Sequence, residues 1–109
     1  MPEFVKAAKI DEIQPGTCLG VRVDGVFVGI YNVDGAYHAM NNICPHLGGV
    51  LSYGFLEDNV VTCPLHMWEF DVKTGKCVWP EHEQIATYPV KVDGQDVLVD
   101  VNSPQVADR

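Results

Sequence analysis

The sequence predicts an all-β protein built from antiparallel strands. Its clearest feature is the dipeptide Asp-Gly, which stands between apolar runs at positions 24–25, 34–35 and 93–94. Asp-Gly favours a tight type I′ hairpin, because both central residues of that turn need a positive φ. Every second residue from 97 to 101 is valine, which is the period of a strand with one buried face. Helical periodicity is scarce, so an all-β fold is the expectation.

The elements follow these turns in chain order. One short helical turn is expected at residues 9–14, ended by Pro15 and Gly16. Residues 102–109 are expected to fray. Hairpin arms and shorter strands are expected at 19–23, 26–31, 30–33, 36–40, 59–62, 68–72, 76–78, 88–92 and 97–101.

Length and charge limit what the chain can do. Its 109 residues fit one domain, 1–109, and the net charge of −8 argues against nucleic acid, whose phosphates need clustered Lys and Arg. The acidic balance permits docking on a basic partner surface. No apolar run approaches the roughly 18 residues of a membrane span, and the N-terminus does not read as a secretory signal. A soluble, cytoplasmic protein is therefore expected.

Two irregular stretches, 41–54 and 63–67, interrupt the β pattern and hold the residues that bind metals. The first contains Cys44-Pro45-His46 and the second Cys63-Pro64-Leu65-His66. Each stretch supplies one thiolate and one imidazole, and two occurrences of Cys-Pro followed shortly by His are improbable by accident. Cys44, His46, Cys63 and His66 are therefore the predicted metal ligands.

Two cysteines and two histidines can hold different metal groups. Zinc would take all four ligands on one tetrahedral ion, whereas a Rieske [2Fe–2S] centre places two Cys on one iron and two His on the other. The histidines lie one in each loop among strands, without the helical H-x(3–5)-H pair that is usual in zinc fingers, so the iron–sulfur interpretation is favoured. Cys18 and Cys77 lie outside the motif and are expected to be small core residues.

These residues carry a resemblance to a known family. Cys44-Pro45-His46-Leu47-Gly48-Gly49, Cys63-Pro64-Leu65-His66 and the segment 68–75 resemble the Rieske ferredoxins, in particular the ferredoxin components of bacterial aromatic-ring dioxygenases. The resemblance covers about residues 4–101. It implies three antiparallel sheets, with a base at about 1–40 and 72–109 and a small inserted cluster-binding subdomain at about 41–71.

The resemblance also implies a function. Such a protein would be a one-electron carrier rather than an enzyme, taking electrons from a flavin-dependent reductase and delivering them to a terminal Rieske oxygenase. The alternative is the small Rieske-like subunit of an assimilatory nitrite reductase. A zinc-structured interaction module remains a minor alternative.

Four positions around the cluster predict a low reduction potential. Respiratory Rieske proteins carry a disulfide between their cluster loops, and here the corresponding positions are Gly49 and Leu65. The serine and tyrosine hydroxyls that those proteins direct at the cluster correspond here to Trp68 and Phe70. Fewer hydrogen bonds to sulfur favour the oxidised state, so a potential of about −150 mV is expected. Met67 replaces the glycine that usually follows the second histidine.

Overall fold

The computed structural model describes residues 3–44, 49–65, 67–79 and 84–106. Within these residues the chain forms three antiparallel sheets, which confirms the predicted all-β class. Two 3-10 helices of three residues each, Ile10–Glu12 and Leu51–Tyr53, are the helical elements of the described part. None of the described helices is long and apolar enough to cross a membrane.

The strands are numbered in chain order. They are β1 Val5–Lys9, β2 Cys18–Val23, β3 Val26–Val33, β4 Ala36–Asn41, β5 Phe55–Glu57, β6 Val60–Thr62, β7 Glu69–Asp71, β8 Cys77–Trp79, β9 Thr87–Tyr88, β10 Val90–Asp93 and β11 Asp96–Val99. The first sheet has the strand order β1-β11-β10, the second β2-β3-β4-β9, and the third, which we call the cluster sheet, β5-β6-β7-β8.

The first two Asp-Gly turns form as predicted. Asp24 and Gly25 have φ of 47° and 83°, and Asp34 and Gly35 have φ of 51° and 90°. Positive φ at both central residues is the type I′ conformation, whose twist matches that of the flanking strands. The two turns share β3, so the two predicted strands 26–31 and 30–33 are one continuous strand.

The third hairpin forms, but its turn lies one residue further along. Asp93 pairs with Asp96, so Gly94 and Gln95 are the central residues. Gly94 has φ of 63°. Glycine with positive φ at the first central position is typical of the type II′ turn, the other common two-residue hairpin connection. Pro89 also divides the predicted strand 88–92 into β9 and β10, because proline cannot donate to a sheet ladder.

Two hydrophobic cores lie between the sheets. The core of the base joins the first and second sheets around Ile13, Ile30 and Val97, each of which is fully buried. The second core lies under the cluster sheet, and Tyr31 and Met40 of the second sheet reach into it. The cluster sheet is thereby packed on the base by buried apolar contact.

Asp100 is a buried carboxylate that makes stability depend on pH. Burial alone would raise the pKa of Asp100, but hydrogen bonds from the Ser103 hydroxyl and from the backbone N–H groups of Asn102 and Glu3 outweigh burial and lower the pKa. An unfolded aspartate titrates near pH 3.9. As the pH falls, the unfolded chain therefore binds the proton before the folded chain does. Asp100 stabilises the fold above about pH 3.9, and this stabilisation is lost as the pH falls below that value.

We expect Asp100→Asn to be less stable than the parent protein at pH 7 and to lose less stability on acidification from pH 5 to pH 3. Urea unfolding at both pH values measures the difference. Asp93→Asn, at an exposed strand end, is the matched control and should follow the parent protein. An equal acid response of Asp100→Asn and the parent would contradict this role for Asp100.

Candidate metal centre

The first predicted ligand loop is held closed by a short ladder of backbone contacts. Ile43 bridges Val50, and the N–H of Cys44 donates to the carbonyl of Gly49 at 2.8 Å. Cys44 and Gly49 therefore close a loop whose four central residues, 45–48, lie outside the described residues. His46 is one of them, so its predicted role remains a prediction.

The second loop is a tight turn that follows β6. The N–H of Cys63 donates to the carbonyl of Trp68 at 2.7 Å, and the N–H of Met67 donates to the carbonyl of Cys63 at 3.0 Å. These two bonds join described residues on either side of His66, which itself lies outside the described part of the chain, so its predicted role remains a prediction. The backbone thus places Cys63 rigidly at the end of a strand.

The two loops meet at their cysteines. Cys44 and Cys63 are each 1% exposed and belong to the same core as Phe70. A Cβ built on Gly49 would lie 2.9 Å from Cys63 Sγ and 3.1 Å from Leu65 Cγ, so glycine is required for this approach. Positions 49 and 65 face one another, where the resemblance placed the disulfide that this chain lacks.

This arrangement fits an iron–sulfur group on chemical grounds. Two buried thiols from separate loops are the soft ligands that iron–sulfur clusters take. No disulfide joins any of the four cysteines, all of which lie in the described part of the chain. Cys18 is half-buried, donates its thiol to the carbonyl of Ser52 at 3.4 Å, and has a pKa raised by burial, which opposes the thiolate a metal needs. Cys77 is buried in the same core.

Three exposed apolar side chains lie in or next to the two cysteine loops, and a fourth lies at the end of β8 in the cluster sheet. Leu65, Met67 and Trp79 are 58%, 53% and 57% exposed, and Ile43 is 39% exposed. We call these four residues the apolar rim. The sequence singled out Met67, but it did not reveal the exposure of Ile43 and Leu65. Ile43 directly precedes Cys44 and Leu65 is the second residue after Cys63, and these positions were the only available signal.

Met67 has a strained backbone. Its φ is 61°, in the left-handed region that favours glycine. The glycine that usually occupies this position in the family therefore has a conformational reason. Met67 is tolerated because its side chain extends to solvent instead of entering the core.

Met67→Gly is expected to raise the free energy of unfolding by roughly 0.5 to 1 kcal/mol. Glycine relieves the strain of the left-handed conformation, and part of that gain is offset because glycine makes the unfolded chain more flexible. Met67→Ala is the control, because it removes the side chain but keeps the Cβ that causes the strain. Thermal unfolding of both variants measures the effect. A gain in Met67→Ala equal to that in Met67→Gly would show that the side chain, and not the backbone, was responsible.

Sequence comparison identifies the family of the chain. The family described as "Rieske [2Fe-2S] domain" matches residues 3–89, and the chain belongs to that family. A Rieske-type [2Fe–2S] cluster is therefore its cofactor, and the zinc alternative is rejected.

Relatives that are similar over most of their length include ferredoxin components of dioxygenase systems. The chain is 41% identical over 101 residues to the ferredoxin component of a naphthalene 1,2-dioxygenase system from Pseudomonas aeruginosa, covering 92% of this chain and 97% of the relative. It is 44% identical over 99 residues to the biphenyl dioxygenase ferredoxin subunit of Pseudomonas sp. strain KKS102, covering 89% and 91%. The resemblance predicted from the sequence is thereby confirmed.

Solved structures give the same fold. The ferredoxin of carbazole 1,9a-dioxygenase from Nocardioides aromaticivorans IC177 matches with a TM-score of 0.84 and 32% identity, covering 89% of this chain and 96% of that one. A ferredoxin–oxygenase complex of carbazole 1,9a-dioxygenase matches at 0.85 and 28%, covering 94% and 96%. A putative nitrite reductase small subunit from Mycobacterium tuberculosis matches at 0.83 and 27%, covering 99% of both chains.

Proposed function

We propose that this protein is the electron-carrying ferredoxin component of an aromatic-ring dioxygenase system and not itself an enzyme. The proposed cluster ligands are the thiolates of Cys44 and Cys63 on one iron and the imidazoles of His46 and His66 on the other. When bound, a Rieske cluster supplies reversible one-electron chemistry. The observation that carries the proposal is the contact between the two cysteine loops, where Gly49 leaves room for Cys63 Sγ.

The chain's own residues adapt this site to electron transfer. Burial of Cys44 and Cys63 keeps water from the thiolates. Phe70 packs in the same core and adds rigidity, which limits the reorganisation that accompanies a change of charge. The apolar rim gives a partner a dry contact surface directly beside the ligand loops, so an electron can cross a short distance.

The partners follow from this arrangement. We propose a flavin-dependent reductase as the donor and a terminal Rieske oxygenase as the acceptor, because the relatives are components of dioxygenase systems and one structural match is a ferredoxin–oxygenase complex. We further propose a cytoplasmic protein that binds neither membrane nor nucleic acid, consistent with its net charge of −8.

The chain would act as one domain, 1–109, with two functional parts. We assign about 1–40 and 72–109 to a base and about 41–71 to a cluster-binding subdomain that presents both ligand loops. The cluster sheet also includes β8, which follows the segment assigned to the subdomain. The division separates a supporting part from the part that contacts partners.

Reconstitution with purified partners tests the function. The holoprotein is reduced by candidate flavin reductases with NADH or NADPH, the reduced state is identified by its Rieske-type EPR signal, and turnover is measured with terminal oxygenases on aromatic substrates. We expect turnover that depends on this protein and saturates with its concentration. Reduction without electron delivery to any aromatic-ring oxygenase would contradict the proposed role.

The reduction potential is expected at the low end of the Rieske range, about −150 mV. Trp68 and Phe70 offer no hydroxyl at the positions where high-potential Rieske proteins donate hydrogen bonds to the cluster. A potentiometric titration followed by EPR measures it. A midpoint well above zero would overturn this expectation without affecting the proposed ligands.

A nitrite reductase small subunit is the second candidate. The structural match to such a subunit over 99% of both chains favours it, although the identity is 27%. Such a subunit would be bound permanently to a large catalytic subunit. Isolation as a free holoprotein that reduces a dioxygenase favours the carrier, whereas co-purification with a nitrite-reducing flavoprotein would favour the subunit.

A further inference from the structure

A slot without side chains lies in the base beneath the first ligand loop. Gly20 of β2 faces Gly29 of β3 directly in the hairpin register. A Cβ at Gly20 would lie 2.6 Å from Asn42 Nδ2 and 2.7 Å from Ser52 Oγ, and one at Gly29 would lie 2.8 Å from Asn42 Oδ1. The paired glycines therefore leave a space that the Asn42 side chain shares with the Tyr31 hydroxyl, which would lie 2.5 Å from a Cβ at Gly29. Neither glycine has the positive φ that would otherwise explain its presence.

Asn42 fills the slot with both its amide oxygen and its amide nitrogen hydrogen-bonded. Its side chain is fully buried. Its Oδ1 accepts from the N–H of Ser52 at 2.8 Å, and its Nδ2 donates to Ser52 Oγ at 2.8 Å. The orientation is fixed, because a backbone N–H can only donate and so must meet the amide oxygen.

The backbone of Asn42 makes two further hydrogen bonds, which together with its side-chain bonds to Ser52 form what we call the clamp. Its N–H donates to the carbonyl of Phe27 at 2.9 Å, and its carbonyl accepts from the N–H of Leu51 at 2.9 Å. One residue thus ties the base strand β3 to both arms of the loop. The next rungs of the ladder are the bridge between Ile43 and Val50 and the bond from Cys44 to Gly49.

We propose that Asn42 is a positioning residue for the cluster, seated in the Gly20–Gly29 slot and acting through Cys44 and Gly49. Without the side-chain clamp the two arms of the loop can separate, and Gly49 no longer holds its place against Cys63 Sγ. The inference rests on the proposed function, because it requires Cys44 to be a ligand. It adds a reason why Cys44 and Gly49 keep their positions relative to Cys63.

Asn32 offers a matched control within the same chain. It is also a buried asparagine, 2% exposed, with two side-chain hydrogen bonds: its Nδ2 donates to the carbonyl of Ile13 at 2.7 Å and its Oδ1 accepts from the N–H of Gly35 at 2.7 Å. Those partners belong to the base and not to a ligand loop. Removing either amide leaves buried polar groups unpaired at similar cost, but only Asn42 connects to Cys44.

The experiment compares the holoproteins Asn42→Ala, Ser52→Ala and Asn32→Ala. Cluster release to an iron chelator, reduced-state EPR and hydrogen–deuterium exchange of peptides covering 42–54 are measured. We expect Asn42→Ala to release iron about tenfold faster, to broaden the EPR signal and to lose protection at Leu51 and Ser52. Ser52→Ala, which keeps the backbone contact to Oδ1, should release iron roughly threefold faster. Asn32→Ala should leave all three readouts unchanged while unfolding at lower urea concentration.

Equal iron release from Asn42→Ala and Asn32→Ala would overturn the proposal, because Asn42 would then act only through global stability. If Asn42→Ala does not fold, the test passes to Ser52→Ala, which must release iron faster than Asn32→Ala and show more hydrogen–deuterium exchange in peptides covering 42–54. Equal values in Ser52→Ala and Asn32→Ala would again overturn the proposal. Cys44→Ala separates the two levels of inference. Cluster retention in Cys44→Ala would contradict the ligand assignment itself, whereas cluster loss there together with an unaffected Asn42→Ala would contradict only the positioning role.

Discussion

Replacing Cys63 by alanine is expected to leave the protein without its [2Fe–2S] cluster. Cys63 is 1% exposed and lies at the point where the two ligand loops touch. Alanine offers no atom that can replace the thiolate, and the backbone hydrogen bonds between Cys63 and Trp68 and between Met67 and Cys63 restrain the described residues beside it. We expect no bound iron by chemical analysis, no visible absorption of the cluster and no Rieske EPR signal after reduction.

Cys77→Ala is the matched control for this substitution. Cys77 is also buried, 8% exposed, and it belongs to the same core as Cys63. It should therefore lose some packing energy and keep two iron atoms per chain. A Cys63→Ala protein that retained its iron, or a Cys77→Ala protein that lost it, would contradict the ligand assignment.

The histidine ligands are tested in the same way. His46→Ala and His66→Ala are expected to lose the Rieske signature, whereas His38→Ala should retain it. His38 is half-buried in β4, and burial, followed by the charge of Lys73, lowers its pKa, as expected of a structural histidine. Retention of the Rieske EPR signal in both His46→Ala and His66→Ala would require a different ligand set.

The hairpins could be predicted because their information is local. Asp-Gly needs only its own conformational preference to form a type I′ turn, and Asp24 and Asp34 show it. The strands that were missed depend on distant partners. β1 pairs with β11 across most of the chain, and its alternation is interrupted by a register shift between Lys6 and Ala8. β5 has three residues and forms only because β6 is beside it.

The cofactor could also be predicted from local sequence, whereas the assignment of the four ligands remains a prediction. Cysteine and histidine spacing indicates ligand chemistry directly, since few other groups use two Cys and two His in this way. The slot for Asn42 was not predictable, because Gly20, Gly29 and Ser52 come together only after the base hairpin and the ligand loop have folded. The exposure of the apolar rim likewise depends on which side of each loop faces the core.

Phe70→Ala is expected to be the most destabilising single substitution under the cluster sheet, lowering the free energy of unfolding by about 3–5 kcal/mol. Phe70 is fully buried, pairs in register with Val61 and Cys77, and its ring lies 6.4 Å from that of Trp68. Its removal leaves a cavity beside Cys44 and Cys63. Because a domain of this size is stable by only about 5–15 kcal/mol, the thermal midpoint should fall by more than about 12 °C.

Phe55→Ala provides a control of the same residue type in the same sheet. Phe55 is 67% exposed and aligns with Thr62 and Glu69, so it lies on the face opposite to Phe70. Its removal should change the free energy of unfolding by less than about 1 kcal/mol. Thermal unfolding of the two holoproteins, with cluster absorbance followed in parallel, compares the two faces. Similar losses in both variants would mean that the cluster sheet is not stabilised by its buried face, and Phe70 would then have no special part in holding the cysteines together.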